Sequence, residues 1–237
     1  MGESQAEKAI LDILKPQFNP TIALLAKRGE VHIRITAKFE EKKQMEEKIR
    51  EIEDKIRARL GDYVYGVDED TLEGKVASLL RDKNLTISVA ESCSGGLLSH
   101  RLTNISGSSN YYRAGIVSYS NEAKSHFLDV SPEIIQEKGA VSPEVAKHIA
   151  RGAREAGNTD LGVGITGIAG PTGGTSEKPV GLVYIALSTQ DGEIYERFTF
   201  PGGREDVKWR ASQAALNLLR QYLLNSLATK SSKGLMG

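Results

Sequence analysis

The chain has 237 residues, of which 39% are hydrophobic and 26% charged, as in a globular protein of one or two domains. Its 31 basic and 31 acidic residues cancel, which excludes the strong positive charge of a protein that coats nucleic acid. The single cysteine excludes an internal disulfide bond and disfavours a cysteine-based metal site. No membrane-length apolar run and no signal peptide is recognisable, so we expect a soluble cytoplasmic protein without membrane partners.

Residues 1–70 are expected to form a small α/β module. A short helical pattern is followed by two prolines and a predicted loop through Gly29. Alternating apolar residues then predict a strand over 31–36, and a charge-dense stretch predicts a helix over 40–60. A second strand is predicted over 63–67.

The charges of this first module alternate in sign, as they do on a solvent-exposed helix face. The module has neither aromatic residues between its charges nor a G-x-x-G clamp. The pattern therefore favours an exposed helix over a nucleic-acid surface. The acidic residues 68–70 mark the boundary to the next domain.

From residue 71 onward, helical and strand patterns alternate along the chain. This alternation predicts a three-layer αβα sandwich around a mixed, mostly parallel sheet. We assign residues 71–229 to this second domain and residues 230–237 to a flexible tail. The predicted strands cover 85–90, 114–120, 161–166, 180–188 and 193–200, and the predicted helices cover 72–80, 95–103, 121–128, 143–156 and 204–227.

The segment Ala-Glu-Ser-Cys-Ser-Gly-Gly, residues 90–96, joins a predicted strand to a predicted helix. Ligands of open α/β sheets bind beyond the carboxyl ends of strands, which makes this turn a candidate site. Its hydroxyl and backbone N–H groups suit an anion or a developing oxyanion. A plain helix cap explains the same residues equally well. We interpret Cys93 as a small buried residue rather than a nucleophile.

Two further segments follow predicted strands. Tyr119, Asn121 and Lys124 lie where a strand passes into a helix, and a desolvated lysine can act as a neutral base. An asparagine cap beside a solvated lysine is the simpler interpretation. The run from Gly162 to Thr175 begins with G-x-G-x-x-G, but no helix follows it, which excludes a dinucleotide-binding turn. We expect a glycine loop whose backbone approaches a ligand closely.

Five strings of the second domain occur together in order: AESCSGG (90–96), GSSNYYRAGIVSYSNEAK (107–124), GAVSPEVA (139–146), GITGIAGPTGGTSEKPVGLVYIA (164–186) and PGGREDVKWRA (201–211). With them, residues 71–226 resemble the C-terminal domain of the CinA family, which includes the stand-alone PncC enzymes. The first module resembles the KH-like linking module of full-length CinA. No counterpart of the family's molybdopterin-binding-like N-terminal domain is recognisable, so we expect a truncated form without the pyrophosphatase activity of that domain.

The resemblance implies an amidohydrolase of pyridine nucleotide salvage. It would convert nicotinamide mononucleotide into nicotinic acid mononucleotide and ammonia, without a metal or organic cofactor. Relatives tend to self-associate, which implies a homo-oligomer with Tyr111 and Tyr112 as candidate interface anchors. The expected partners are this small-molecule substrate and further copies of the chain; a membrane is not expected, and nucleic acid is disfavoured.

The resemblance also implies roles for individual residues. Ser92 would be the nucleophile and Lys124 its base, with Ser94 as the rival nucleophile. Tyr119 would orient the lysine or protonate the ammonia, and the backbone N–H groups of 93–96 would hold the oxyanion. The other residues expected at the substrate are Glu91, Gly95, Gly96, Ser109, Asn121, Thr166, Gly167 and Gly170.

Arg204, at the start of the last predicted helix, would bind the substrate phosphate, with a helix-start salt bridge as the alternative. The alternative function is a nucleotide-binding or protein-interaction module without turnover, motivated by the missing N-terminal domain and the charge-rich first module. The two functions differ in whether Ser92, Lys124 and the glycine loop converge in one cleft.

Overall fold

The computed structural model describes residues 2–15 and 18–233, with side chains as far as Asn225. The chain divides between Val67 and Asp68 into two compact units. Within the part of the chain that the structure describes, no helix is long and apolar enough to cross a membrane.

The first unit packs three helices against a two-stranded antiparallel sheet. Its core is made of isoleucine and leucine side chains from both helices and strands. Its elements are α1 (Glu3–Ala9), α2 (Leu11–Leu14), β1 (Thr21–Lys27), β2 (Glu30–Thr36) and α3 (Lys42–Leu60).

Two predictions for this unit were wrong. Residues 21–27, predicted as loop, form β1, because Arg28 and the positive-φ Gly29 turn the chain back so that β1 pairs along all of β2. The predicted strand over 63–67 is absent. The chain instead forms a 3₁₀ turn over Gly61–Tyr63, and Tyr65 donates a hydrogen bond to Glu30.

The second unit is an αβα sandwich, as predicted. Its five strands lie in the order β4-β3-β5-β6-β7, and only β6 runs against the direction of the others. The strands are β3 (Ile87–Glu91), β4 (Tyr112–Val117), β5 (Leu161–Gly167), β6 (Leu182–Thr189) and β7 (Gly192–Thr199). The helices are α4 (Leu72–Asp82), α5 (Leu97–Thr103), α6 (Asn121–Leu128), α7 (Pro132–Lys138), α8 (Pro143–Ala156) and α9 (Arg204–Lys233).

Helix α8 packs directly on β5, and two glycines of the predicted ligand loop explain how. A Cβ atom at Gly162 would lie 2.1 Å from the carbonyl oxygen of Ala150, and one at Gly164 would lie 2.6 Å from that of Ala146. These glycines therefore serve the close approach of helix and strand. Gly167, at the end of β5, is packed in the same way, since a Cβ there would lie 2.7 Å from the carbonyl oxygen of Leu182.

The opposite face of the sheet is covered by α4, α5 and α9. The buried Arg101 of α5 joins these three helices, because its guanidinium pairs with Glu73 at 2.8 Å and lies 4.5 Å from the ring centre of Trp209. The same guanidinium donates to Ser212 and Gln213. This network fixes α5, and with it the turn that precedes α5.

Two further expectations differ from the structure. Tyr111 is fully buried and donates a hydrogen bond to the carbonyl oxygen of Leu102, so it belongs to the core rather than to an interface between chains. Helix α9 continues to Lys233 and includes the first four residues of the predicted tail. Neither proline nor glycine occurs between Arg204 and Gly234, so no residue type that ends a helix interrupts it earlier. The rest of that tail, residues 234–237, lies outside the described residues.

Candidate functional site

The candidate site lies at the carboxyl ends of β3, β4 and β5. These strands are parallel neighbours, with Glu91 level with Val117 on one side and with Ile165 on the other. The register continues past the strand ends, where the N–H of Ser92 donates to Ile165 and that of Ser118 donates to Glu91. The three segments singled out in the sequence therefore leave the sheet side by side.

Ser92 and Lys124 meet at this edge. Lys124 Nζ lies 3.1 Å from Ser92 Oγ, although the residues are 32 positions apart. The same nitrogen donates to the carbonyl oxygens of Ser118 at 2.9 Å and Ser120 at 3.5 Å. Ser120 also caps α6, the helix that carries Lys124, by accepting from the N–H of Ala123.

Burial lowers the pKa of Lys124, whose side chain has only 2% of its surface exposed. Its nearest polar neighbours fit the neutral amine. Two N–H bonds can serve the two carbonyl oxygens, and the lone pair can accept the hydroxyl proton of Ser92. The arrangement is that of a general base beside a nucleophile.

Glu91, expected at the substrate, is instead committed to the protein. Its fully buried carboxylate accepts from the N–H groups of Gly96, Leu98 and Ser99 and from the hydroxyl of Ser99. These are the first N–H groups of α5, which need an acceptor once they are buried. Glu91 thus holds the turn in shape.

The Glu91 contacts limit which N–H groups can bind an oxyanion. Gly95 donates to the carbonyl of Ser92 and Gly96 donates to Glu91. Of the four N–H groups expected in this role, those of Cys93 and Ser94 donate to no other residue among the residues described. Of the N–H groups expected to bind an oxyanion, these two are therefore the ones still available.

The geometry separates the candidate nucleophiles. Ser92 contacts Lys124, whereas the hydroxyl of Ser94 is fully buried and has no hydrogen-bond partner among the described residues. Burial raises the pKa of Cys93 to about 12, which keeps its thiol protonated at neutral pH. Of these three residues, Ser92 is the one that contacts a basic group, and 8% of its surface is exposed.

Tyr119 and Arg204 face each other across the mouth of the site. Tyr119 is 57% exposed and accepts a hydrogen bond from Arg204 Nη2, while Arg204 Nη1 donates to the carbonyl of Gly170 at 2.9 Å. Tyr119 makes no hydrogen bond to Lys124, so no observed contact supports its expected role in orienting the lysine. Arg204 forms no ion pair with any described residue, so the salt-bridge alternative is wrong.

The remaining predicted residues divide into two groups. Thr166 donates to the carbonyl of Ala140 at 2.8 Å, and a Cβ at Gly167 would lie 3.0 Å from Cys93 Sγ, which places both residues beside the turn. Asn121 is exposed in the first turn of α6. Ser109 was predicted wrongly, because it precedes β4 and lies at the other end of that strand, roughly 20 Å away.

Sequence reasoning missed the groups that act through their backbone. The carbonyls of Ser118, Ser120 and Ala140 hold Lys124 and Thr166 in place. A carbonyl is common to every residue, so no sequence signal marks these positions. Within the described part of the chain, no cluster of three or more His, Cys, Asp or Glu residues could hold a metal ion.

Comparison with known proteins gives two family matches and many relatives. The family model of the CinA C-terminal domain matches residues 69–223, and that of the damage-inducible protein CinA KH domain matches residues 1–66. A putative competence-damage inducible protein of Moorella thermoacetica is 52% identical over 94% of this chain and 54% of its own length. A CinA-like protein of Dictyoglomus thermophilum is 46% identical over 95% of this chain and 55% of its own length. The chain thus spans about half the length of these curated relatives.

Solved structures resemble a large part of the chain. The competence/damage inducible protein CihA of Agrobacterium tumefaciens matches with a TM-score of 0.62 and 36% identity, over 66% of this chain and 96% of its own. A CinA-superfamily protein of Klebsiella pneumoniae matches with a TM-score of 0.63 and 30% identity, over 65% of this chain and 96% of its own.

Proposed function

The chain belongs to the CinA family, and from this premise we propose that its second unit hydrolyses nicotinamide mononucleotide to nicotinic acid mononucleotide and ammonia. The names of its relatives refer to competence and damage induction and do not mention this reaction. The proposal is supported instead by the geometry of the site and by the resemblance of the motifs. The observation that carries it is the 3.1 Å contact between Ser92 Oγ and the buried Nζ of Lys124.

In the first half of the reaction, neutral Lys124 takes the hydroxyl proton of Ser92 as Oγ attacks the carboxamide carbon. The carbonyl oxygen becomes an oxyanion and accepts from the N–H groups of Cys93 and Ser94. When the C–N bond breaks, Lys124 returns the proton to the leaving amino group. Ammonia departs, and an ester links Ser92 to the nicotinoyl group.

In the second half, water replaces ammonia. Lys124 accepts a proton from water as the water oxygen attacks the ester carbon. The bond to Ser92 Oγ then breaks, and Lys124 returns the proton to that oxygen. Every proton transfer is carried by a side chain of this protein, and the proposal uses no metal or organic cofactor.

We assign Tyr119 to the leaving group rather than to the lysine. Its oxygen accepts from Arg204, so its own O–H remains able to donate a hydrogen bond to the ammonia once the C–N bond has broken. Arg204 in turn is held by the carbonyl of Gly170, which ties the position of Tyr119 to the glycine loop.

The direct test is ammonia release from nicotinamide mononucleotide by the whole chain. We expect turnover in the wild type and a loss of roughly 10³-fold or more in both Ser92→Ala and Lys124→Ala. Ser94→Ala is the matched control, since its hydroxyl has no hydrogen-bond partner among the described residues, and it should keep turnover within about tenfold.

Two outcomes would contradict the proposal. Undiminished turnover in Ser92→Ala would move the nucleophile to Ser94 or to water. Binding of the mononucleotide by calorimetry without any release of ammonia would favour a nucleotide-binding module instead of an enzyme.

A further inference from the structure

Lys208 lies one helical turn beyond Arg204 on α9 and reaches the turn that carries Ser92. Its Nζ lies 3.5 Å, and its Cε 3.7 Å, from the position that a Cβ atom of Gly95 would occupy. Residues four apart share a helix face and are separated by about 6 Å along the axis. Arg204 and Lys208 therefore face the same edge of the sheet, Arg204 above Tyr119 and Lys208 above Gly95.

Lys208 has no counter-ion among the residues that the structure describes. The side chain is half-buried, yet it forms no hydrogen bond or ion pair with any residue that the structure describes. Glu91, the buried carboxylate of this turn, is fully occupied by α5. A partly buried cation without a partner is best satisfied by an anion from outside the chain.

Arg204, which the sequence suggested for the phosphate, is in a different situation. Each of its two terminal nitrogens already donates one hydrogen bond, to Tyr119 and to the carbonyl of Gly170, and three of its five N–H groups remain. A phosphate would therefore share this guanidinium with the two contacts that position Tyr119. Lys208, by contrast, spends none of its three donors on the residues that the structure describes.

We propose that Lys208 binds the phosphate monoester of the substrate and thereby selects the nucleotide over the corresponding riboside. The inference rests on the proposed function and names the specificity determinant of the same site. Gly95 is part of this proposed phosphate site. Its φ of 63° favours glycine, and the absence of a side chain leaves the space that Lys208 occupies.

The test compares Lys208→Met with the wild type on nicotinamide mononucleotide and on nicotinamide riboside. We expect the variant to raise KM for the mononucleotide roughly 10- to 100-fold, as for a lost hydrogen bond to a charged group, with kcat changed less than about threefold. The ratio of kcat/KM between mononucleotide and riboside should fall by at least about tenfold. Inorganic phosphate should inhibit the wild type competitively and should inhibit the variant much less.

Two further variants complete the design. Lys208→Arg keeps a donor cation and should restore most of the preference for the mononucleotide. Lys147→Met is the matched control, because it removes one lysine charge from α8, where Nζ lies 4.8 Å from the ring centre of Tyr195, and it should leave the preference unchanged.

The outcomes distinguish a failure of the phosphate-binding role of Lys208 from a failure of the proposed deamidase function. An unchanged substrate preference in Lys208→Met overturns the role of Lys208 while the deamidase stands. If the wild type releases no ammonia from either substrate, the proposed function fails, and calorimetry decides the role of Lys208 alone. Mononucleotide binding that weakens in Lys208→Met supports the phosphate contact, and equal binding overturns it.

Discussion

At the scale of single residues, Lys124 shows how the fold changes the chemistry of a common side chain. Lysine is normally a solvated cation, but here two carbonyl oxygens and one hydroxyl surround its nitrogen and burial lowers its pKa. The sequence marks only its position after a strand. Which serine it would reach followed from the register of β3 and β4.

We predict that kcat/KM for the deamidation rises with pH and levels off above the pKa of Lys124. The neutral amine is the active form, and burial places the change below the ordinary lysine pKa of 10.5. A pH–rate profile of the wild type checks this. A rate that stays flat or falls through that range would remove Lys124 as the base.

The same pKa shift predicts a change in stability. Between the pKa of folded Lys124 and 10.5, the unfolded chain binds a proton that the folded chain does not. The free energy of unfolding of the wild type should therefore rise with pH in this window, relative to Lys124→Met. Parallel pH dependences of the two proteins in urea unfolding would contradict the shift.

At the scale of elements, three consecutive segments form the centre of the candidate site: strand β3, the turn over residues 92–96 and helix α5. The turn contains two serines and two glycines, which in the sequence suited a ligand and a helix cap equally. The structure shows the capping role, because Glu91 satisfies the first N–H groups of α5. The N–H groups of Cys93 and Ser94 donate to no other described residue and are therefore available to the proposed substrate. A carboxylate that ends a strand and caps the next helix aligns the two elements.

We expect Glu91→Gln to destabilise the second unit by about 2–4 kcal/mol, because an amide offers one acceptor oxygen where the carboxylate offers two. Urea unfolding followed by the fluorescence of Trp209, the single tryptophan, measures the loss. Glu122→Gln is the control: it alters an exposed carboxylate in the first turn of α6, and its loss of stability should be much smaller. Equal losses in the two variants would show that Glu91 does not hold the turn.

At the scale of the whole molecule, the chain consists of two units with separate cores. The solved structures of relatives cover 65–68% of this chain and nearly all of their own length, which is more than the first unit contains. This extent is close to that of the CinA C-terminal domain match, residues 69–223, which lies in the second unit. The complete proposed site, from Glu91 to Lys208, lies within it.

We predict that residues 68–237, produced alone, fold and keep the deamidase activity of the whole chain within about threefold. Cooperative loss of Trp209 fluorescence in urea, at the midpoint found for the whole chain, would show independent folding. A soluble but inactive second unit would instead assign the first unit a part in catalysis.

Local sequence patterns were sufficient to predict most strands and helices of the second unit. The alternation of buried strands and amphipathic helices from residue 71 onward was sufficient to predict the sandwich, because each element repeats its own period. It failed for β1, whose apolar run has no clear period and which is a strand because β2 pairs with it. It also failed for Ser109, since a motif string does not reveal at which end of a strand its residues fall.

The sequence by itself determined the class of fold, the turn that carries Ser92 and the presence of Lys124 after a neighbouring strand. Tertiary structure decided that these two side chains touch, that Glu91 caps a helix, that Gly162 and Gly164 serve packing, and that Arg204 is held by Tyr119. The physical reason is the range of the interactions. Helix and strand periods act over neighbouring residues, whereas a hydrogen bond between residues 92 and 124 exists only after parallel strands have aligned their ends.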